Sequence, residues 1–149
     1  MDLHRMSEVE CAVSSFSRPR TDASGVRVSV GIDMAETARI GGLVRKFGHR
    51  FLRKIFSDEE IVNCERSVNS VASFAARFAA KEAFSKALGT GIGKFIGWKD
   101  VSVGKMPSGA PYVILSEGAT LVLRDFGFSE AKISLSHTKT LAQAIVVLI

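Results

Sequence analysis

The acidic residue that most needs a chemical explanation is Glu82, because it lies within an apolar helical pattern. The segment from 71 to 88 is rich in strong helix formers, and four of its residues follow at intervals of four: Phe74, Phe78, Glu82 and Lys86. A carboxylate on an apolar stripe is costly unless a cation or a metal ion neutralises it. One interpretation is an intrahelical ion pair with Lys86, which contributes only ~0.2–0.5 kcal/mol. The other is that Glu82 is a metal ligand.

A second carboxylate, Asp33, favours the metal interpretation. In the segment VRVSVGID, residues 26–33, apolar residues alternate with other types, which is typical of a half-buried strand. Asp33 is then expected to end the strand on its polar face, beside Gly31. If Asp33 meets Glu82 where strand and helix adjoin, the two carboxylates, with water and phosphate oxygens, form a donor set that suits Mg²⁺. We therefore predict a magnesium site at Asp33 and Glu82.

The glycine-rich segment 89–94, GTGIGK, invites a phosphate-binding interpretation but matches neither standard motif. Leu88 stands where a P-loop requires its first glycine, and Phe95 follows Lys94 where that motif has Ser or Thr. The segment also follows a helix and does not open one, unlike the dinucleotide-binding fingerprint. By itself it is weak support for a phosphate site.

His137 ends the apolar segment ISLSHT, with Ile133 and Leu135 on the same face. Taken alone, such a histidine is more often a core residue than a ligand. The neighbouring Thr138 and Lys139 favour the alternative, a contact to phosphate. The chain contains no Ser-His-Asp elbow, no HExxH motif and no Cys/His cluster, which argues against acyl-transfer triads and zinc chemistry.

Positive charge is concentrated in one segment. The chain has 20 Lys and Arg against 15 Asp and Glu, and no acidic residue lies between Glu36 and Asp58. Apolar residues recur there at helical spacing, so the segment is predicted to be an amphipathic helix with a basic face. That face would attract a polyanion or an acidic protein, although a merely solvated face is the alternative. Its six basic residues are Arg39, Arg45, Lys46, Arg50, Arg53 and Lys54.

The elements that position these residues follow from periodicity and capping signals. We expect strands at 26–33, 100–105, 111–116, 132–137 and 143–149, and helices over the basic segment, from Asp58 into the mid-sixties, at 71–88 and at 117–126. Ser57 and Glu60 form a capping box, and Gly89 ends the longest helix. The order β-α-α-α-β-β-α-β-β, with hairpins as well as helical connections, predicts an α+β fold with mainly antiparallel pairing.

Composition sets the outer limits. A chain of 149 residues, 46% hydrophobic with 3 Pro, is expected to form one domain, here 26–149, preceded by an N-terminal extension at 1–25. Two cysteines, Cys11 and Cys64, make no disulfide framework, so a reducing compartment is expected. The longest apolar run, 144–149, is too short to span a membrane, and we see no secretory signal. The expected location is the cytoplasm.

Three blocks of the chain together resemble one family, the holo-acyl-carrier-protein synthases, which are small trimeric 4′-phosphopantetheinyl transferases. The first is Gly31–Met34 with Arg39 and Ile40, the second is RFAAKEAFSKALGTGI at 77–92, and the third is ISLSHT at 133–138. The resemblance implies a mainly antiparallel sheet wrapped on a long central helix, in a homotrimer with active sites at subunit interfaces.

The activity implied by the resemblance is transfer of phosphopantetheine from coenzyme A to a serine of an apo acyl carrier protein. Asp33 and Glu82 would hold Mg²⁺ (Mn²⁺ being the alternative ion) against the pyrophosphate, and Lys86 would contact the phosphates. Arg77, Gly89, His137 and Thr138 would bind coenzyme A, with Arg77, His137 and Thr138 near its 3′-phosphate. The base for the serine is left open between Glu82, a metal-bound water and a carrier carboxylate.

The resemblance also gives the basic helix a partner. Acyl carrier proteins are small and acidic, and a complementary face is offered by Arg39, Arg45, Arg50, Arg53 and Lys54. A nucleic-acid-binding module is the rival class, but it leaves Asp33, Glu82 and Lys86 unexplained. A magnesium-dependent pyrophosphate hydrolase is a third interpretation, with water as the acceptor. We expect neither nucleic acid nor membrane as a partner.

Overall fold

The computed structural model describes residues 25–149. Residues 1–24 of the predicted N-terminal extension, with Cys11 among them, lie outside the described residues. The elements, in chain order, are β1 (Ser29–Glu36), α1 (Thr37–Phe47), α2 (His49–Ile55), α3 (Asp58–Glu65), α4 (Ser70–Leu88), a 3₁₀ turn (Trp98–Asp100), β2 (Val101–Lys105), β3 (Pro111–Leu115), α5 (Glu117–Asp125), β4 (Ala131–His137) and β5 (Leu141–Leu148).

Helix α4 is the centre of the fold. Thirteen of its nineteen residues are buried, most of them alanines that favour helix and let other elements approach closely. Asn69 caps its first turn by accepting a hydrogen bond from the Ala72 amide, and Gly89 ends it in the left-handed conformation, with φ of 81°. The prediction of a helix at 71–88 ended by Gly89 is confirmed.

Two antiparallel sheets surround α4. One has the strand order β1-β5-β4 and the other is the hairpin β2-β3. The central strand β5 faces the core with Ala142, Ala144, Val146 and Leu148, all of which are fully buried. The predicted α+β fold, a mainly antiparallel sheet on a long central helix, is therefore confirmed.

Strand β1 lies the other way round from the prediction. Its valine and isoleucine side chains point away from α4, so Val30 is 62% exposed, whereas Gly31 and Ala35 are buried. The reason is how close the strand lies to the helix: a Cβ at Gly31 would lie 2.0 Å from the carbonyl oxygen of Ala83. Asp33 does not end the strand either, because β1 continues to Glu36. Small residues, and not large apolar ones, mark the helix-facing side of this strand.

The basic segment forms two helices where we expected one. Gly48 separates α1 from α2 with φ of 53°, a conformation that favours glycine. The capping box of α3 is confirmed, since the Glu60 amide donates to the Ser57 hydroxyl and the Ser57 amide donates to the Glu60 carboxylate. Across residues 25–149, no helix is both long enough and apolar enough to cross a membrane.

Candidate functional site

Asp33, Glu82 and Lys86 come together where β1 lies against α4. Lys86 Nζ lies 2.6 Å from Asp33 Oδ1, so this lysine bridges helix and strand. Glu82 and Lys86 are one turn apart on α4, and the charges of Asp33 and Lys86 both act on the Glu82 carboxylate. The Asp33–Lys86 ion pair and the effect of the Asp33 charge on Glu82 place both carboxylates at the junction of strand and helix where we expected them.

Gly31 is what allows this meeting. Asp33 lies two residues after Gly31, so both face the helix. A side chain at position 31 would collide with the backbone of α4 at Ala83 and Ala87, pushing Asp33 away from the helix. The glycine in the sequence block Gly31–Met34 thus lets Asp33 lie close to α4.

The Glu82 carboxyl is poorly compensated in this arrangement. Burial raises its pKa above the ordinary value, the negative charge of Asp33 raises it further, and Lys86 and Arg39 act in the opposite direction. Across residues 25–149, no group of three or more His, Cys, Asp or Glu side chains comes together. The site thus offers two carboxylates, a donor set that fits Mg²⁺, which takes one or two carboxylates and completes its shell with water and substrate phosphates.

Arg39 connects this site to the basic surface of α1 and α2. Its charge reaches Glu82, and its guanidinium lies 6.0 Å from the centre of the Phe78 ring. Phe78 in turn stacks on Trp98, with ring centres 5.0 Å apart. The remaining residues predicted to dock a carrier protein are all exposed on these two helices: Arg45, Arg50, Arg53 and Lys54. The positively charged surface therefore continues to the edge of the two carboxylates.

The glycine-rich segment begins at the same end of α4. The Ser85 carbonyl accepts hydrogen bonds from the amides of Gly89 and Thr90, at 3.0 Å and 3.1 Å. Gly91 and Gly93 have positive φ, which lets the chain turn sharply after the helix. Gly89 therefore lies beside Lys86, as the predicted phosphate contact requires.

Arg77 lies on another side of α4 and is buried. Its guanidinium donates to the Ser73 carbonyl at 3.4 Å, and its Nε atom is buried without a hydrogen-bond partner in the part of the chain that the structure describes. It also neighbours the Cys64 thiol, whose pKa burial raises to about 12. Within one chain, Arg77 thus does not lie at the same site as Glu82.

His137 is the last residue of β4, and its register partner on β5 is Ala142. Ala142 is also paired with Ala35 of β1, so His137 lies on the α4-facing side of the sheet, two strands from β1. Thr138 follows it and accepts from the Leu141 amide at 3.2 Å. Their role in binding coenzyme A stays a prediction, as does that of Arg77.

The sequence analysis missed the buried charged pair of α4. Lys81 Nζ lies 2.8 Å from Glu60 Oε2, and both side chains are almost completely removed from solvent. Burial lowers the pKa of Lys81, and the Glu60 charge acts against this change. The sequence did contain a signal for this buried lysine, because Lys81 stands among alanines at 79, 80 and 83 in an apolar helical segment.

Comparisons with known proteins agree with this geometry. The family model described as the 4′-phosphopantetheinyl transferase superfamily matches residues 29–146. A holo-[acyl-carrier-protein] synthase from Koribacter versatilis is 42% identical over 121 residues, covering 81% of this chain and 97% of that protein. One from Chlamydia trachomatis serovar L2 is 43% identical over 118 residues, covering 79% and 96%.

Solved structures show the same likeness. The crystal structure of holo-[acyl-carrier-protein] synthase from Neisseria meningitidis has a TM-score of 0.76 at 32% identity and covers 81% of this chain and 97% of its own. The Helicobacter pylori protein of the same name, in complex with coenzyme A, has a TM-score of 0.71 at 38% identity, with coverage of 80% and 99%. Fold and sequence therefore point to one family.

Proposed function

Because the chain belongs to the 4′-phosphopantetheinyl transferase superfamily, we propose that it transfers 4′-phosphopantetheine from coenzyme A to a serine of an apo acyl carrier protein. The serine oxygen bonds to the phosphorus that carries the pantetheine. The bond from that phosphorus to the bridging oxygen breaks, adenosine 3′,5′-bisphosphate leaves with this oxygen, and the serine proton is lost. The observation that carries the proposal is the meeting of Asp33, Glu82 and Lys86 between β1 and α4.

Asp33 and Glu82 are the residues that would hold Mg²⁺, or Mn²⁺ with the same oxygen donors. The ion, when bound, supplies positive charge against the pyrophosphate. The raised pKa of Glu82 supports this assignment, because the carboxyl lies in a position where its ionised form lacks sufficient positive charge.

Lys86 is proposed to bind a phosphate. Its side chain is 53% exposed and its ammonium is held by Asp33, so the ammonium can contact a pyrophosphate oxygen while it stays bound to the strand. Beside it, Gly89 allows close approach of a phosphate to the backbone. Lys86 then stabilises the negative charge that develops on the departing phosphate.

The far end of coenzyme A is assigned to Arg77, His137 and Thr138. Guanidinium and imidazolium groups suit the dianionic 3′-phosphate. Because Arg77 lies on another side of α4 from Glu82 within one chain, the complete site is proposed to form between protomers of a homotrimer.

The outer face of the sheet supports assembly. Four apolar residues on this face are more than a third exposed, and they lie on the neighbouring strands β1 and β5: Val30, Ile32, Met34 and Ile145. Contiguous exposed apolar surface of this kind marks a protein interface. Light scattering is expected to give a mass three times the 16.1 kDa of the chain, and a monomer in the active enzyme would contradict the trimer.

The acceptor is proposed to dock on the basic surface of α1 and α2. Arg39, Arg45, Arg50, Arg53 and Lys54 are exposed there and would attract an acidic carrier protein, mainly raising its association rate. The surface is assigned to a protein and not to nucleic acid, because Arg39 lies beside the carboxylates where the serine must arrive. The proposed location is the cytoplasm.

Mass spectrometry tests the reaction directly. An apo acyl carrier protein incubated with this chain, coenzyme A and Mg²⁺ is expected to gain one phosphopantetheine on a serine, and EDTA is expected to prevent the gain. Phosphopantetheine free in solution, with none on the carrier, would identify a hydrolase instead. No gain on any of several carriers, in a folded trimer, would overturn the proposed function.

A further inference from the structure

Lys81 is the most completely enclosed charged side chain among the described residues, with 0% of its surface exposed. All three of its ammonium protons have acceptors. Nζ donates to Glu60 Oε2 at 2.8 Å, to the Trp98 carbonyl at 2.9 Å and to the Val101 carbonyl. The side chain is therefore held from three directions and cannot move without breaking a buried hydrogen bond.

Two of these three acceptors flank the 3₁₀ turn. Trp98 begins the turn and Val101 follows it, so Lys81 fixes the turn at both ends. Glu60 extends the connection, because its Oε1 accepts from the Val103 amide in β2 at 2.9 Å. One buried pair thus joins α3, α4, the 3₁₀ turn and β2.

The segment between α4 and this turn is the glycine-rich loop, residues 89–97. Its first residues are held by the Ser85 carbonyl, and the chain just beyond its end is held by Lys81 through Trp98. Both anchors lie on α4, one helical turn apart. The proposed function assigns Lys86 and Gly89 to the pyrophosphate; Lys86 lies in the last turn of α4, and Gly89 is the first residue of this loop.

We propose that Lys81 is a positioning residue for coenzyme A binding: through the Trp98 and Val101 carbonyls it holds the glycine-rich loop in the conformation that receives the phosphates. The inference rests on the proposed function. In this proposal the loop is positioned by the hydrogen bonds from Lys81 to the two carbonyls, and not by the ion pair with Glu60.

The alternative is that Lys81 and Glu60 form a core ion pair with no bearing on the loop. Two variants distinguish the possibilities. Glu60→Gln removes the charge pair and leaves the Lys81 donors on both carbonyls, although it lowers the free energy of unfolding because Lys81 then lacks its buried anion. The double variant Lys81→Met/Glu60→Gln removes the charge pair and the donors together, and introduces no unpaired buried charge.

Calorimetry measures the affinity of each variant for coenzyme A, at a temperature where both variants are folded. We expect Glu60→Gln to bind like the unaltered chain. We expect the double variant to bind on the order of 10- to 100-fold more weakly, because a displaced loop loses hydrogen bonds to the charged phosphates. KM for the carrier protein is expected to change little in either. Equal affinity in the two variants would overturn the inference.

Trp98 is the only tryptophan of the chain, so its fluorescence reports the position of the turn. The emission of the double variant is expected to differ from that of Glu60→Gln. If the double variant does not fold, Lys81→Arg makes the test, because it keeps a cation for Glu60 but directs its donors differently. Altered emission with unchanged coenzyme A affinity would contradict the proposal.

Lys99→Met is the matched control. Lys99 belongs to the same 3₁₀ turn but is exposed, so removing its charge is expected to change neither the Trp98 emission nor coenzyme A affinity.

Failure of this inference can be distinguished from failure of the proposed function. If the unaltered chain does not bind coenzyme A, the proposed function is wrong. If it binds and transfers, and the double variant matches Glu60→Gln, only the role of Lys81 is wrong.

Discussion

Helix α4 carries two lysine–carboxylate pairs in opposite settings. Lys81 is fully enclosed and has three acceptors, whereas Lys86 is 53% exposed and is bound to Asp33. Their pKa values move in opposite directions: burial lowers that of Lys81, and the hydrogen bond to Asp33 raises that of Lys86. The enclosed ammonium is fixed in place, while the exposed one can take a phosphate as a further partner. The same chemical pair thus serves structure on one side of the helix and is proposed to serve ligand binding on the other.

The largest expected effect is on folding, from removing the enclosed ammonium. Lys81→Met alone leaves Glu60 as a buried charge without its cation, which typically costs about 3–5 kcal/mol of unfolding free energy. Lys86→Met breaks a pair that water screens, for which about 0–1 kcal/mol is usual. Urea denaturation of the two variants measures the difference. Similar losses in both would remove the contrast between the pairs.

On the exposed side, the largest expected effect is on turnover. Glu82→Gln keeps the shape of the side chain but removes one of the two proposed metal-binding carboxylates, and we expect turnover to fall on the order of 10²–10³-fold. Its circular dichroism and urea midpoint should stay close to those of the unaltered chain. Retained activity would refute the assigned metal site.

A smaller effect is expected on carrier recognition. Arg39→Glu reverses the charge of the basic surface that lies next to the carboxylates, so the KM for the acidic carrier protein should rise by about 10-fold, or ~1.4 kcal/mol. The KM for coenzyme A should change far less. Steady-state kinetics with each substrate varied in turn makes the comparison, and equal changes in both constants would argue against a docking role.

The smallest expected effect is a pH dependence of stability without divalent cations. The folded chain raises the Glu82 pKa above its ordinary value of 4.5, so just above that pH the folded state binds more protons than the unfolded state. The free energy of unfolding must then fall as pH rises from the ordinary pKa through the raised pKa of Glu82. Thermal denaturation should show the fall in the unaltered chain, and a weaker one in Glu82→Gln or with Mg²⁺ present. An identical pH profile in Glu82→Gln would contradict the assignment.

Local signals predicted most of the elements because their causes are local. The Ser57–Glu60 capping box, the alanine-rich α4 and its glycine C-cap depend on residues within a few positions of one another, and all three were predicted correctly. The break at Gly48 was missed because apolar residues continue at helical spacing on both sides of it. Periodicity alone does not report a change of helix axis.

The orientation of β1 required the tertiary structure. Alternation in the sequence identifies two faces of a strand but not which of them meets the core of a single chain. The nearby α4 backbone selects the face with Gly31 and Ala35, and leaves Val30 and Ile32 exposed. An apolar face that is buried only between chains looks the same in sequence as one that is buried within a chain.

The sequence by itself determined the residues for chemistry: Glu82 on an apolar stripe, Asp33 on the other face of a strand from its valines, and an acid-free basic segment. The tertiary structure decided which charges meet. It paired Lys86 with Asp33 across 53 positions and Lys81 with Glu60 across 21. The physical reason is that charge pairing depends on distance and burial, and both are set by how far α4 is rotated against β1, α3 and β2.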